Sequence, residues 1–358
     1  MIDLDLYRKE KNTWIEVSYN EANSDERGSF DSNEKKRYSL LISLQYDFKK
    51  SDEELIRYLF EQEIIAREKD DFQGIGDTLW LGAYLLARFS TPLDISLFYR
   101  AKFANFDTGC GFDREFMYIA LREKTEEYVF QNDPELYDEV KGGFSSMGLA
   151  ENLDSWWNKL SNRFPESESD EPIFGLYERS IYFEDKELAK KYLKKWKESA
   201  TESEQKDSTL KYAYIELGEF TKAIELVKKE LVSKKTNWDK ASSNQDLLKL
   251  YTKMGGAEEG LDIIKAIDKQ FIQFDNWRQV GLGRMAVHEA FEYTLASNDI
   301  DVARAAFRIA HSWFKKMNYI AFVGLEAGWK AADKCGFTLK ARMYKKMAMK
   351  ERRRIDNM

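Results

Sequence analysis

His288, Glu289 and Glu292 are the residues whose types and spacing come nearest to chemistry. One helical turn separates His288 from Glu292, so an imidazole and a carboxylate could share a metal ion while Glu289 stands beside them as a base. The only other histidine, His311, lies far down the chain. Cys110 sits between Gly109 and Gly111, where a freed backbone could present a thiol nucleophile, but no histidine in the N-terminal half can activate it. A buried structural thiol is expected there. Gly74 and Gly76, Gly109 and Gly111, and Gly281 and Gly283 lack the third glycine of a dinucleotide fingerprint and the Gly-Lys-Ser/Thr of a phosphate loop. They are expected at helix junctions. With no complete catalytic set, the chain is expected not to be an enzyme and to use neither cofactor nor metal.

The elements that must position these residues are helices. All four prolines (Pro92, Pro134, Pro165 and Pro172) fall in one window, leaving 186 proline-free residues after Pro172, and proline inside a helix costs about 3 kcal/mol. An all-α chain is the expectation. Its 56 Lys and Arg against 63 Asp and Glu give a net charge of −7, with no global attraction to nucleic acid or anionic lipid. Cys110 and Cys335 are far apart and form no ligand pair, which fits free thiols in a reducing compartment. The first residues lack an apolar signal core, and the most apolar window, 79–89, is about half the length of a bilayer span. A cytoplasmic protein with no membrane partner is therefore expected.

Along the chain, residues 1–50 are ambiguous between hairpin, helix and mobile arm. Tyr38, Leu40, Ile42, Leu44, Tyr46 and Phe48 alternate like a strand, whereas Tyr38, Leu41, Ile42 and Gln45 fit a helical face; 20–33 is polar and reads as a loop or mobile arm. Ser51-Asp52-Glu53-Glu54 reads as a capping box, with Ser51 and Glu54 satisfying amides at a helix start. A helical domain then runs over 51–164, with helices from Asp77 or Thr78 to Phe89, from Thr91-Pro92, from Asp113 to about Phe130, and from Leu149 to Arg163. Residues 165–172, six polar and mostly acidic residues between two prolines, read as a linker with nothing to bury.

Over 173–358 the sequence repeats itself. Leu210, Tyr214, Gly218, Phe220, Ala223 and Leu231 place apolar residues on one helix, a glycine at the turn, an aromatic beyond it and a small residue early in the next helix. This resembles a tetratricopeptide repeat. The spacing returns at Leu247, Tyr251, Gly255 and Gly260, then at Asn298, Ile300 and Ala303, and at Gly336 and Ala341, with Tyr177, Ile181 and Ala189 upstream. The small residues Ala189, Ala223, Gly260, Ala303 and Ala341 are separated by 34, 37, 43 and 38 positions, near the family's period of about 34. The resemblance implies an α-α superhelix, a TPR-like solenoid with a concave face, extended by the N-terminal helical region.

Alignment on that repeat turns Phe174, Tyr182, Tyr212, Lys249, Lys253, His288, Glu292 and Lys330 toward the concave face, a mixed aromatic and charged lining suited to a protein or peptide. Lysine and asparagine of the family's carboxylate clamp are replaced by Ser208 and Tyr212, so a chaperone-tail adaptor is not expected. Residues 288–292 resemble the zinc-protease pattern His-Glu-x-x-His with its second histidine replaced, and fall in this alignment on a groove-lining helix. From Lys340 to Arg354 there are eight basic residues and one acid, a net +7 that leaves −14 for the rest. This segment is the only hint of nucleic acid, and a capping helix is the favoured reading.

A non-catalytic protein- or peptide-binding repeat protein, acting as regulator or adaptor, is thus the expected function. A second class is raised by residues 37–47, Glu53-Glu54-Leu55 and Leu79-Trp80-Leu81, which are faintly similar to a helical bacterial immunity family that neutralises cognate toxins. A peptide-sensing transcriptional or signalling regulator and a metal hydrolase at His288 complete the alternatives.

Overall fold

In the computed structural model, which describes residues 2–24, 28–69 and 74–357, the chain forms two compact units, Met1–Asp185 and Lys186–Met358. It is all-α apart from one two-stranded hairpin among the described residues.

That hairpin, β1 (Glu21–Ser24) and β2 (Gly28–Asp31), pairs antiparallel with Glu21 opposite Asp31 and Ala22 opposite Phe30. It lies where the polar composition predicts a loop; residues 25–27 of that stretch are outside the described residues. The Asp31 carboxylate accepts from the amides of Asn20 and Asn33, each at 3.0 Å, which ties both ends of the hairpin together. In the first unit, α1 (Leu4–Lys9), α2 (Glu34–Tyr46), α3 (Glu53–Lys69), α4 (Asp77–Ala87) and α5 (Ile95–Lys102) are followed by α6 (Phe106–Gly111) and α7 (Thr125–Asn132). The single turns α8 (Tyr137–Val140) and α9 (Gly143–Ser146), then α10 (Leu149–Arg163) and α11 (Ile173–Tyr182), complete it. The helical reading of Tyr38, Leu41, Ile42 and Gln45 therefore wins over the alternating one, because α2 packs against α3 and α4 on Leu40, Leu41 and Leu44.

Three local expectations are corrected. Asp52, not Glu54, closes the turn before α3 by accepting from the Lys49 amide at 3.0 Å, while Glu54 reaches out to Lys11. The helix expected over 113–130 is broken into short 3-10 turns at Arg114–Tyr118 and Arg122–Lys124 ahead of α7. Phe116, Met117 and Tyr118 are consecutive and all buried, more than one face of an α-helix presents; Phe116 stacks on Phe98 and Phe112 and meets Trp156 edge-on. Finally, the acidic stretch 165–172, none of it fully buried, is nevertheless tied down by polar contacts. The Pro165 carbonyl accepts from Gln45 Nε2 at 2.7 Å, and the Glu171 carboxylate takes both the Tyr46 hydroxyl and, at 2.8 Å, the Arg179 guanidinium. The first unit continues through α11 to Asp185.

The second unit stacks α12 (Lys186–Ser199), α13 (Glu204–Leu217), α14 (Phe220–Ser233), α15 (Asn237–Lys253), α16 (Glu259–Phe271), α17 (Gly281–Ala296), α18 (Ile300–Phe314), α19 (Phe322–Lys334) and α20 (Thr338–Asp356). Neighbours in sequence pack as pairs, and pairs stack in two layers: α15 on α17 on α19 in one, α16 on α18 in the other. This is the layered packing of an all-α superhelix, in which no helix pair buries its apolar face alone. The five small residues of the repeat each fall within the first four positions of α12, α14, α16, α18 and α20, and all are buried. At Gly260 the reason is close approach, since a Cβ would lie 2.2 Å from the Tyr293 ring of α17.

His311 marks the far end of this stack. Its Nδ1 lies 2.9 Å from the Tyr344 hydroxyl, joining α18 to α20, and it is buried there. Burial, with Lys340 and Lys315 nearby, pushes the imidazole down to about 4. Between pH 6.5 and 4 the unfolded chain binds a proton that the folded one refuses, so this contribution to stability is intact above pH 6.5 and is lost as pH falls. Between about pH 7.5 and pH 5 the loss should be about 2 kcal/mol. Urea unfolding of wild type and His311→Gln at both pH values measures it, and equal pH dependence in the two proteins would refute the assignment.

Candidate functional site

The sequence-predicted groove residues of the second unit lie on the odd-numbered helices. Lys249 and Lys253 are on α15, His288 and Glu292 on α17, Lys330 on α19 and Tyr212 on α13. Helical periodicity sets which of them share a face: Asp246, Lys249 and Lys253 follow one another at intervals of three and four on α15, and on α17 Glu292 lies four positions after His288 and three after Glu289. The opposite faces carry the core residues Leu247, Leu248, Val287, Ala290 and Phe291.

Helix α13 packs on α14 and α14 on α15, and side chains carry the polar link from α13 to α15. The buried Lys211 ammonium of α13 reaches Glu230 of α14 at 3.3 Å and Asp246 of α15 at 3.9 Å. Burial pushes the Asp246 carboxyl up, and Lys211 and Lys249 pull it back. From α15 the line continues to α17. Burial likewise raises the Glu289 carboxyl, opposed by Lys249 and His288 and reinforced by Glu292 and Asp246. Lys211, Asp246, Lys249, His288, Glu289 and Glu292 thus form one electrostatically coupled row across three helices. The His288 Nδ1 is buried and has no hydrogen-bond partner among the described residues.

The other predicted residues have contacts of their own. Tyr212 is 63% exposed, with the Lys211 ammonium 4.9 Å from its ring. The Lys253 ammonium rests 5.9 Å from Phe220, and Lys330 is tied to Glu326 at 3.0 Å. Phe174 and Tyr182 belong to the first unit: Phe174 packs on Tyr177 at 5.1 Å, and Tyr182 meets Tyr38 of α2 edge-on at 5.6 Å. Lys211 and Asp246 are members of the row that sequence reasoning misses. Asp246 carries a signal, its helical spacing to Lys249, whereas Lys211 carries none in the sequence.

What the row can do chemically is pair. Two carboxyl groups raised by burial favour partners that bring N–H donors or cations, and Lys249 offers a donor between them. Among the described residues no three His, Cys, Asp or Glu side chains are grouped to hold a metal ion. Cys110 is exposed on α6, correcting the expectation of a buried thiol, while Cys335 is buried and its thiol is pushed up by that burial. No described helix is long and apolar enough to cross a membrane.

Fold and site together define a helical-repeat stack with a polar row on one layer. No protein-family model and no curated protein matches the chain.

Proposed function

We propose that the protein is a non-catalytic binding protein of the TPR-like kind, whose second unit holds a protein or peptide segment on the face of α13, α15 and α17. The observation that carries this reading is the charged row from Lys211 to Glu292. Mid-helix positions of alternating sign, partly desolvated and set over an apolar core, are costly for a packing surface and useful for recognising the mixed donors and acceptors of a polypeptide. The helices hold these groups at fixed spacing, so little ordering is required on binding.

Affinity capture with wild-type chain and with a Lys249→Glu, Glu289→Lys double variant tests it. A partner retained by wild type should bind the variant at least about tenfold more weakly, equivalent to about 1.4 kcal/mol. Equal retention would remove the row from the interface. Charge reversal within 165–172 serves as the comparison and is expected to have the smaller effect.

A second reading, a bacterial immunity protein, draws support from the net charge of −7, which suits the covering of a basic toxin. Recovery of one basic toxin as the sole specific partner selects that reading, and recovery of several signalling or transcription proteins selects a regulator or adaptor.

A further inference from the structure

We propose that a ledge between α19 and α20 is a docking site for an acidic peptide segment that inserts an apolar anchor side chain. The ledge encloses about 310 Å³ and has an apolar floor of Phe322, Trp329, Ala348 and Met349. Lys345, Arg352 and Arg353 rim it against one carboxylate, Glu326. It shares no residue with the Lys249–Glu289 row and does not depend on the reading given to that row.

Charge decides the occupant. Glu326 is already held by Lys330 at 3.0 Å, and Arg352 by Asp356 at 3.1 Å. Lys345 and Arg353 have no ion-pair partner among the described residues, so the rim keeps two cations free to meet an outside anion. The whole helix α20 carries eight basic and two acidic residues, a net +6 in a chain of −7. On the exposed side of α20, Met349 is 53% exposed beside a half-buried Trp329. An apolar floor inside a cationic rim matches an acidic segment with a leucine or phenylalanine anchor.

The rings argue against a nucleic acid. The Lys345 ammonium lies 4.5 Å from the centre of Trp329, and the Arg352 guanidinium 5.7 Å from that of Phe322. These cations occupy the ring faces that a stacked base needs, whereas an apolar anchor can also seat against Ala348 and Met349. The remainder of the chain, at −13, repels a polyanion.

The probe is a fluorescein-labelled dodecapeptide of glutamates with one leucine and one phenylalanine, titrated by anisotropy against the full chain. Wild type should bind it, and Lys345→Glu with Arg353→Glu should weaken binding at least about tenfold. Lys346→Glu with Lys350→Glu makes the same charge change outside the ledge and should leave binding within about twofold. All four positions are exposed, and far-UV circular dichroism of each variant reports retained helix. No binding by wild type, equal loss in the two double variants, or displacement of the peptide by a single-stranded oligonucleotide of equal charge would overturn the proposal. Lys249→Glu with Glu289→Lys should leave this titration unchanged, so failure of the ledge and failure of the row are read separately.

Discussion

Arg37→Met is expected to destabilise the first unit by about 3–5 kcal/mol, because it strands buried carboxylates rather than merely deleting a contact. Arg37 on α2 is fully buried. Its guanidinium pairs through Nε with Glu63 of α3, through a second nitrogen with Asp31 of β2 at 2.6 Å, and donates to the Val17 carbonyl at 3.2 Å. One side chain thus joins hairpin, helix and N-terminal turn. Glu63 is itself fully buried, and its Oε2 has no hydrogen bond among the described residues, standing 3.7 Å from Arg67. Without Arg37 that carboxylate must protonate or draw in water, and either is costly. Pairing Arg37→Met with Glu63→Met removes one of the two stranded carboxylates and should recover part of the loss, the remainder being the cost of leaving Asp31 without its guanidinium. Urea unfolding of wild type, both singles and the double gives the coupling directly. A single Arg37→Met costing under about 1 kcal/mol would show that the network is solvated and energetically slack.

In the second unit the largest expected effect is at Gly256→Ala, about 3 kcal/mol. Gly256 ends the turn between α15 and α16 with φ of +71°, a conformation that side chains rarely adopt. A Cβ there would also stand 2.3 Å from the Ser297 amide nitrogen and 2.4 Å from its Cα. Those are backbone atoms at the α17–α18 junction and cannot rotate away, so the turn of one helix pair must move off the turn of the next. Gly255→Ala is the internal comparison. Its φ is +85°, but the nearest atom to a Cβ is Asn298 Nδ2 at 3.8 Å, so it suffers backbone strain alone, about 1 kcal/mol. The difference between the variants in thermal or urea unfolding isolates the close approach of the two turns. Equal losses would mean that the stack relaxes freely at this seam.

Much of the second unit is legible in the amino-acid sequence. Ala189, Ala223, Gly260, Ala303 and Ala341 mark where helices touch, because a buried first-turn position in a tight pair excludes large side chains, and each lies at such a position. Likewise the period and flanking breaks of Leu149–Arg163 give that helix to the residue. The row of Lys249, His288 and Glu292 is visible as polar positions at helical spacing. Its partners are not all visible: Lys211 joins because packing of α13 and α15 on α14 brings it to Asp246, 35 positions away in the chain.

Helical composition, the proline-free C-terminal half and the repeated small residues determine by themselves that this chain builds an all-α stack, because those are local signals read within one or two turns. Tertiary structure alone decides that the polar stretch 20–33 carries a hairpin, since Asp31 is held there by Arg37 from α2. It also decides that 165–172 is tied to α2 through Gln45 and Tyr46, residues about 120 positions away, and that Trp329 and the cations of α20 share one ledge. Each depends on the energy of desolvating charges and rings against distant elements, and that energy is set only when the helices have packed.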